Sequence, residues 1–248
     1  MKYFLSLLIL FLYLPSYIGF AEEPTPEPPA LTPDVRCYGC DYTGVFLSRS
    51  QAPRGIFTKA LFFRATLTGS NFVHSDFEEA DLTQASLRDA NLSHCKFTKA
   101  DLTKAILSNS NSSESNFDQA TLDRTNFSGA ILMQSTFVQA QMEAVNLSQA
   151  DLRGSDLEKA MVYRGNFKNA DLRGANLTNT VMYQADLRGA NFSNAKLNGA
   201  LLYEAKIDSA NFTGADLSGA RWIDGDICAA GSIGACNKRE MTAETVKP

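Results

Sequence analysis

Large apolar residues recur at every fifth position along most of the chain. With Leu172 and Leu177 taken as consecutive centres of a five-residue unit, the same frame runs without a gap from Tyr42 to Ile227 and contains 38 units. Leu or Phe occupies 29 of the 38 centres, and the position two residues earlier is small or β-branched in every unit. An α-helix requires a period of 3.6 residues and a strand a period of 2. The pattern therefore predicts a solenoid of short repeats.

The five-residue units also recur in groups of four. The segments A-M-V-Y-R from Ala160, T-V-M-Y-Q from Thr180 and A-L-L-Y-E from Ala200 resemble one another and begin 20 residues apart. Four units then form one coil of 20 residues, and the 38 units correspond to about nine coils. With stacked backbones roughly 4.8 Å apart, the predicted rod is about 45 Å long. We expect a single domain.

The unit consists of a small residue, Asp or Asn, Leu or Phe, and two variable positions, as in A-D-L-R-G-A-N-L-T-N-T over residues 170–180. This pattern resembles that of the pentapeptide-repeat proteins, and the resemblance covers most of the chain. It implies an all-β fold, a right-handed quadrilateral β-helix. Leu or Phe would pack opposite Ala inside a narrow tube. We expect the 20 Asp and Asn residues that precede the centres to bind turn backbone groups and to tolerate unusual φ angles.

The chain divides into four segments. Residues 1–21 begin with one Lys, continue through an apolar block and end in G-F-A, which is typical of a secretory signal peptide. An uncleaved membrane anchor is the alternative, and it is the only membrane contact that we expect. Residues 22–36 hold five of the eight prolines and are predicted to form an extended linker. The β-helix with its cysteine-containing ends spans 37–236, and the polar tail 237–248 is predicted to be disordered.

Charge and composition exclude several classes of function. Without residues 1–21 the chain has 22 basic and 27 acidic residues, a net charge of −5. This balance argues against nucleic-acid binding by charge neutralisation. The sequence shows no nucleophile beside a base and no glycine-rich phosphate loop. We therefore predict no enzyme activity, no cofactor and no small-molecule substrate.

Four of the five cysteines lie at the ends of the predicted rod: Cys37, Cys40, Cys228 and Cys236. Bridged Cα atoms must lie within about 7 Å of each other, so only pairing within each end is feasible in one chain. Export would favour oxidation of both pairs. Cys95 occupies an inward small position and is predicted to be a buried free thiol.

Two stretches depart from the pattern in their side chains. Ser112 brings a hydroxyl to a centre, and we predict a local bulge or outward loop over Ser108–Ser115. In the first coils apolar side chains point outward, and we expect the linker to fold back over them. These residues are Phe46, Ile56, Leu61 and Phe63.

The C-terminal end of the rod requires a cap, because unpaired backbone there would template aggregation. Trp222 and Ile227 are the last two centres of the frame. Trp222, together with the loop from Cys228 to Cys236, is predicted to form this cap.

Residues that are 20 positions apart form ladders on the outside of the rod, with rungs roughly 4.8 Å apart. One face carries six apolar or aromatic residues over three coils, and we name it the tyrosine face: Met161, Tyr163, Val181, Tyr183, Leu201 and Tyr203. Nearer the N-terminus, the positions equivalent to the tyrosines are polar: Thr83, Thr103, Asp123 and Glu143. Because exposed apolar patches mark contacts and Tyr is favoured at interfaces, we predict binding of a protein partner or self-association there. Mutual support of stacked tyrosines along the rod is the alternative.

The two histidines raise the question of a metal site. His74 and His94 occupy equivalent outward positions, and Glu114 is the next rung. Two imidazoles and a carboxylate in line are potential ligands of a divalent metal. Outward polar ladders are expected in this fold, however, and the serine-rich stretch interrupts this one. We therefore predict no metal.

A second polar ladder contains Arg153 and Arg173, with Arg188 on the neighbouring face and aspartates two residues before each arginine. Local ion pairs in solvent are the favoured interpretation, and anion binding is the alternative.

These observations predict a non-enzymatic, exported rod with a structural or protein-binding role, located in the periplasm or outside the cell. The resemblance implies a second hypothesis, because some cytosolic pentapeptide-repeat proteins are similar to B-form DNA in size and charge, bind DNA gyrase and give quinolone resistance. The signal segment and the net charge of −5 count against that role here. A thiol redox protein using Cys37 and Cys40 is a third hypothesis, although no βαβ pattern surrounds the C-x-x-C spacing.

Overall fold

The computed structural model describes residues 28–238. The predicted signal peptide 1–21, the linker residues 22–27 and residues 239–248 lie outside the described residues. Residues 28–238 contain no helix with the length and hydropathy needed to span a membrane.

Parallel β-bridges connect residues 20 positions apart, from Arg36 with Ile56 to Leu201 with Arg221. Each bridge involves the single residue that precedes a centre, so the described chain has isolated bridges in place of extended strands. Two turn residues follow each centre. One coil therefore has four short sides of five residues, and the bridges have the 20-residue register that the grouping of four units predicts.

A hydrogen-bonded turn closes each side. The N–H of the small residue donates to the carbonyl of the preceding centre, as from Ala60 N to Phe57 O at 3.0 Å. The second residue after the centre has a positive φ, for example 58° at Lys59. Positive φ at this place is typical of a type II turn.

The predicted role of Asp and Asn is confirmed in one respect and wrong in the other. The Oδ1 atom of these residues accepts a hydrogen bond from the N–H two residues later, as from Glu78 N to Asp76 Oδ1 at 2.9 Å. Their own φ is not positive, because the residue before the centre forms the bridge and is extended. The positive φ lies instead at the second residue after the centre, which is glycine in some units, such as Gly69, and an ordinary residue in others, such as Lys59.

The centres fill a continuous core along the axis of the rod. Leu152, Leu172 and Phe192 are fully buried, and the residues that precede them are joined by successive bridges. On another side five phenylalanine rings stack with centroids 4.8–5.0 Å apart: Phe57, Phe77, Phe97, Phe117 and Phe137. The inward register is therefore the one predicted from the five-residue period.

Most hydroxyl groups at the small inward position bond to the coil before them, and the others, such as Ser155 with Leu152 O, bond within their own coil. Ser75 Oγ donates to Ala52 O at 2.9 Å, and Thr125 Oγ1 donates to Leu102 O at 2.7 Å. Buried hydroxyls require such partners. Ser and Thr therefore replace Ala at this position without leaving an unsatisfied group.

The predicted bulge over Ser108–Ser115 is wrong. The bridges of Asn111 to the coils before and after it are both present, and Ser112 is fully buried at its centre. Its hydroxyl lies 3.2 Å from that of Ser110, which is also buried. Because the two hydroxyls satisfy each other inside the tube, the chain has no need to leave the coil.

The linker closes the N-terminal end of the core. Leu31 and Val35 are buried, and Tyr42 Oη donates to Pro29 O at 2.8 Å. Phe46 nevertheless remains 87% exposed, and Ile56 and Leu61 are also exposed. Residues 28–36 therefore do not cover these three side chains as expected, because they fill the open end of the tube, and the fourth side chain, Phe63, is half-buried.

The five-residue frame ends at Trp222, one unit earlier than predicted. The Trp222 ring packs against Phe212 with centroids 5.4 Å apart, as the predicted cap requires. Ile227 is 42% exposed and is therefore not a core centre. The chain reverses after Trp222 and forms antiparallel bridges, of Ile227 with Arg221 and of Ile233 with Asp216. These bridges cover the backbone of the last coil.

Both cysteine pairs lie at disulfide-bonding distance. The Cα atoms are 5.6 Å apart for Cys37 and Cys40 and 4.9 Å apart for Cys228 and Cys236. Each pair lies in a segment that closes one end of the rod, which agrees with the predicted pairing.

Candidate functional site

The tyrosine face lies on one side of the last coils. Parallel bridges connect Met161 with Val181 and Val181 with Leu201, so the backbone beneath the face is fixed. Met161 is 48% exposed and Tyr203 42% exposed, while the other four members are half-buried. All six predicted residues therefore share one outer surface.

Met161, Val181 and Leu201 form one column of the face, and the three tyrosines form a second column beside it. The rings of Tyr183 and Tyr203 meet edge to face, with centroids 6.2 Å apart and an interplanar angle of 89°. Such pairs are favourable for aromatic rings. Tyr203 also lies beside Gly225 of the reversing C-terminal segment. The face is thus bounded on its C-terminal side by the cap.

A polar column that sequence reasoning missed follows the corner beside the tyrosines. The Arg164 guanidinium lies 4.8 Å from the centroid of the Tyr163 ring, and its Nε donates to Gln184 Oε1 at 3.1 Å. Gln184 Nε2 donates to Glu204 Oε2 at 2.7 Å. The Glu204 carboxylate raises the pKa of the neighbouring Tyr203 phenol. The column therefore runs from a positive to a negative end.

The N-terminal border of the face is a shallow depression of about 270 Å³. Its walls combine apolar members of the face with acidic and amide groups of the coils before it: Asp123, Gln141, Met142, Glu143, Met161 and Tyr163. The apolar surface consequently begins at the coil of Met161, as the sequence predicts.

The histidine ladder forms as predicted. The His74 and His94 rings stack with centroids 4.5 Å apart and an interplanar angle of 15°. His94 Nδ1 lies 3.4 Å from Glu114 Oε2. Within residues 28–238 no group of three His, Cys, Asp or Glu side chains is arranged to hold a metal ion.

The arginine ladder consists of local ion pairs. Arg153 bonds to Asp151 and Arg173 to Asp171, each at 2.7 Å, and Arg153 also approaches Asp171 at 3.8 Å. These contacts leave the guanidinium groups paired within the chain. The interpretation as local ion pairs therefore agrees with the geometry better than anion binding does.

Arg188 forms the same kind of pair on the neighbouring face. It contacts Asp186 at 2.7 Å, and Lys168 approaches the same carboxylate at 3.2 Å. The hydrogen bond from Arg188 is the main cause that holds the pKa of Asp186 well below its usual range, and Lys168 adds to it. A depression of about 370 Å³ beside this pair is lined by both charge signs: Lys168, Asn169, Arg188, Gly189, Asp208 and Ser209.

The cysteine pair at the N-terminal end is only partly accessible, because Cys40 is half-buried and Cys37 is buried. Cys37 is only 2% exposed, although reactive thiols are normally accessible. Cys95 is buried, as predicted, and its Sγ donates to Phe72 O at 2.9 Å. Burial raises the pKa of this thiol to about 12.

Comparisons with known proteins identify the repeat. The family model described as Pentapeptide repeats matches eight copies in residues 60–98, 95–134, 140–179, 166–202 and 185–221. This match confirms the predicted right-handed quadrilateral β-helix. No curated protein matches the chain.

Several solved structures are similar to the chain. HetL, a pentapeptide repeat protein involved in heterocyst differentiation regulation from the cyanobacterium Nostoc sp. strain PCC 7120, has 25% identity over 78% of this chain and 92% of its own, with a TM-score of 0.46. Trypsin-treated QnrB1, a plasmid-mediated fluoroquinolone resistance protein, has 18% identity over 81% and 89%, with a TM-score of 0.44. A pentapeptide repeat protein from the Arabidopsis thaliana thylakoid lumen has 31% identity over 45% and 68%, with a TM-score of 0.20. TM-scores below 0.5 give no support for a shared partner.

Proposed function

The chain belongs to the pentapeptide-repeat family, and we propose that it is a non-enzymatic, exported rod of about nine coils whose tyrosine face binds a protein. One observation carries this proposal. Apolar side chains on three successive coils lie at the surface, half-buried on the coil of Tyr183 and up to 48% exposed at Met161, whereas the same columns carry Asp123 and Glu143 on the coils before them. Contiguous apolar surface of this kind marks contact sites.

The physical properties of the face suit recognition. Bridges to both neighbouring coils fix its backbone, so binding requires little ordering of the chain. Tyr provides a large amphipathic contact area with few rotatable bonds. We therefore expect a partner with an apolar patch of similar width and hydroxyl-bonding groups at its edge.

DNA mimicry is not part of the proposal. Asp151, Asp171 and Asp186 are each paired with an arginine of this chain, which reduces the negative field that a mimic of B-form DNA requires.

Export rests on the signal pattern of residues 1–21 and on the two cysteine pairs, which suit an oxidising compartment. Cell fractionation with N-terminal sequencing tests it. We expect a mature chain beginning at Glu22 in the periplasmic or extracellular fraction. Recovery from the cytoplasm with Met1 in place would contradict export and would favour the gyrase hypothesis again.

Binding is tested with Tyr183→Glu. This variant places a negative charge at the centre of the tyrosine face, where a bound partner would bury it. Thr103→Glu is the matched control, since it introduces the same residue into the same column where that column is polar. The coil accepts Glu at this position, as native Glu143 shows. We expect a protein captured from periplasmic extract by the wild type and by Thr103→Glu to be lost with Tyr183→Glu. Equal capture by all three proteins, at equal melting temperatures, would refute the proposal.

A further inference from the structure

We propose that the partner of the tyrosine face is a second copy of this chain, docked antiparallel across a two-fold axis at the coil of Tyr183. This inference rests on the proposed function and adds the identity of the partner. The observation that points to it is the order of charges along the corner column.

The column carries a cation, an amide and an anion in the order Arg164, Gln184, Glu204, at intervals of one coil. Consider a two-fold axis in the plane of the face, perpendicular to the rod and level with Gln184. It places each column against itself in reverse order, as in an isologous interface. Arg164 then faces the second copy's Glu204, and this pair occurs twice in the dimer. Oppositely charged groups meet at both ends of the contact.

The same operation pairs the apolar columns. Met161 faces the second copy's Leu201, and Tyr163 faces the second copy's Tyr203. Val181 and Tyr183 meet their own equivalents at the centre. Every member of the face therefore finds an apolar or aromatic counterpart, and no like charges oppose each other among these three rungs.

A parallel arrangement of the two copies is less favourable. An axis along the rod exchanges the two edges of the face, so that Arg164 meets the corner residue on the opposite edge of the same rung. That residue is Lys159, which also carries a positive charge and whose Nζ already pairs with Glu158 Oε1 at 2.7 Å, so Arg164 gains no unpaired anion there. Like charges at an interface cost affinity. The charge order consequently selects the antiparallel arrangement.

The ends of the rod are closed, which leaves a lateral face for association. Leu31 and Val35 fill the N-terminal end, and the antiparallel bridge of Ile227 with Arg221 covers the C-terminal one. The axis lies two coils before the coil of Arg221, so the two copies overlap over about five coils, roughly 20 Å along the rod. Such an interface is smaller than that of standard stable complexes, and we expect weak, concentration-dependent dimerisation.

Charge-reversal substitutions at Arg164 and Glu204 test the antiparallel dimer. Sedimentation equilibrium of the mature full chain, from about 10 µM to about 1 mM, covers the range of a weak dimer. Arg164→Glu and Glu204→Arg should each weaken dimerisation by about tenfold or more, because each replaces two attractions by two repulsions. The double variant Arg164→Glu/Glu204→Arg should return to within about threefold of the wild type.

The control and the contrary outcomes separate this inference from the proposed function. Lys159→Glu changes a charge at the other edge of the face and should leave dimerisation nearly unchanged. A wild type that stays monomeric throughout, or a double variant that stays as weak as the single ones, overturns the second copy as partner. If Tyr183→Glu still abolishes capture of another protein, the proposed function stands. If Tyr183→Glu changes neither dimerisation nor capture, both proposals fail.

Discussion

Phe97 provides a quantitative test of the core, because its ring lies in the middle of the phenylalanine stack. It is fully buried, 5.0 Å from the Phe77 ring and 4.8 Å from the Phe117 ring, with interplanar angles of 6° and 3°. Phe97→Ala removes this ring from between two coils. Both coils are bridged to the coil of Phe97, so the backbone cannot collapse into the space.

The expected loss follows from burial and stacking. Truncation of a buried Phe costs about 3–5 kcal/mol in free energy of unfolding. Two aromatic contacts, worth roughly 0.5–1.5 kcal/mol each, place this site in the upper part of that range. Phe97→Leu should cost less, about 1–3 kcal/mol, because it keeps most of the buried volume and loses the two aromatic contacts. The same column continues with leucine at Leu157 and Leu177, so the tube accepts that shape.

Urea unfolding followed by circular dichroism measures both variants. Truncation of both Phe97 and Phe117 should deviate from additivity by about 1 kcal/mol, since each ring packs on the other. Phe97→Ala combined with Leu197→Ala, five coils away, should be additive within about 0.5 kcal/mol. A loss below about 2 kcal/mol for Phe97→Ala, or equal losses for Ala and Leu, would refute the stacked core.

Three further changes have defined outcomes. Gly174→Ala should lower the free energy of unfolding in urea by about 1 kcal/mol, because the φ of +67° is unfavourable for alanine. An added Cβ would meet nothing within 4 Å, so backbone strain is the only cost. Gly174→Asn should be nearly neutral, since Asn tolerates this φ. The pKa of Asp186 is lower in the folded chain than the value of about 3.9 in the unfolded chain, so the ionised carboxylate stabilises the fold at pH values above about 3.9. This stabilisation is lost as the pH falls further. The melting temperature of Asp186→Asn should therefore fall less steeply below pH 5 than that of the wild type. Cys95 should react with a thiol reagent only after unfolding, as followed by mass spectrometry, because it is buried and its pKa is raised to about 12.

The inward register was predictable from sequence because it depends on volume alone. A narrow tube accepts one large and one small side chain per unit, and Leu172 beside Ala170 shows this directly. The position of the strained turn residue was not predictable in the same way. Bridges and turn bonds impose positive φ on ordinary residues such as Lys59, and the available signal was the glycine that recurs at equivalent positions, such as Gly174 and Gly189.

Both ends of the rod were harder to predict than its middle. The period alone extends the frame to Ile227, but the antiparallel return of the chain removes that residue from the core. Likewise, the proline-rich composition of residues 22–36 predicts an extended linker, yet Leu31 and Val35 are buried. In each case contacts with the open end of the tube outweigh the local pattern.

One part of the candidate site was likewise predictable from the sequence, and another part was not. Apolar residues at intervals of 20 identify the tyrosine face without a structure. The relation between Arg164, Gln184 and Glu204 becomes visible only when the corner positions are seen to bond along the rod. Their residue types are those of any solvated position, so composition gives no signal; the 20-residue spacing was the available clue.

Engineered cysteines measure the 20-residue coil most directly. Thr103 and Asp123 occupy equivalent positions on successive coils, roughly 4.8 Å apart, which suits a disulfide. Thr103 and Ser128 are 25 residues apart and lie on neighbouring sides of the rod. After mild oxidation, peptide mass spectrometry should find a bridge in Thr103→Cys/Asp123→Cys and none in Thr103→Cys/Ser128→Cys. A bridge in the second pair and none in the first would contradict the coil.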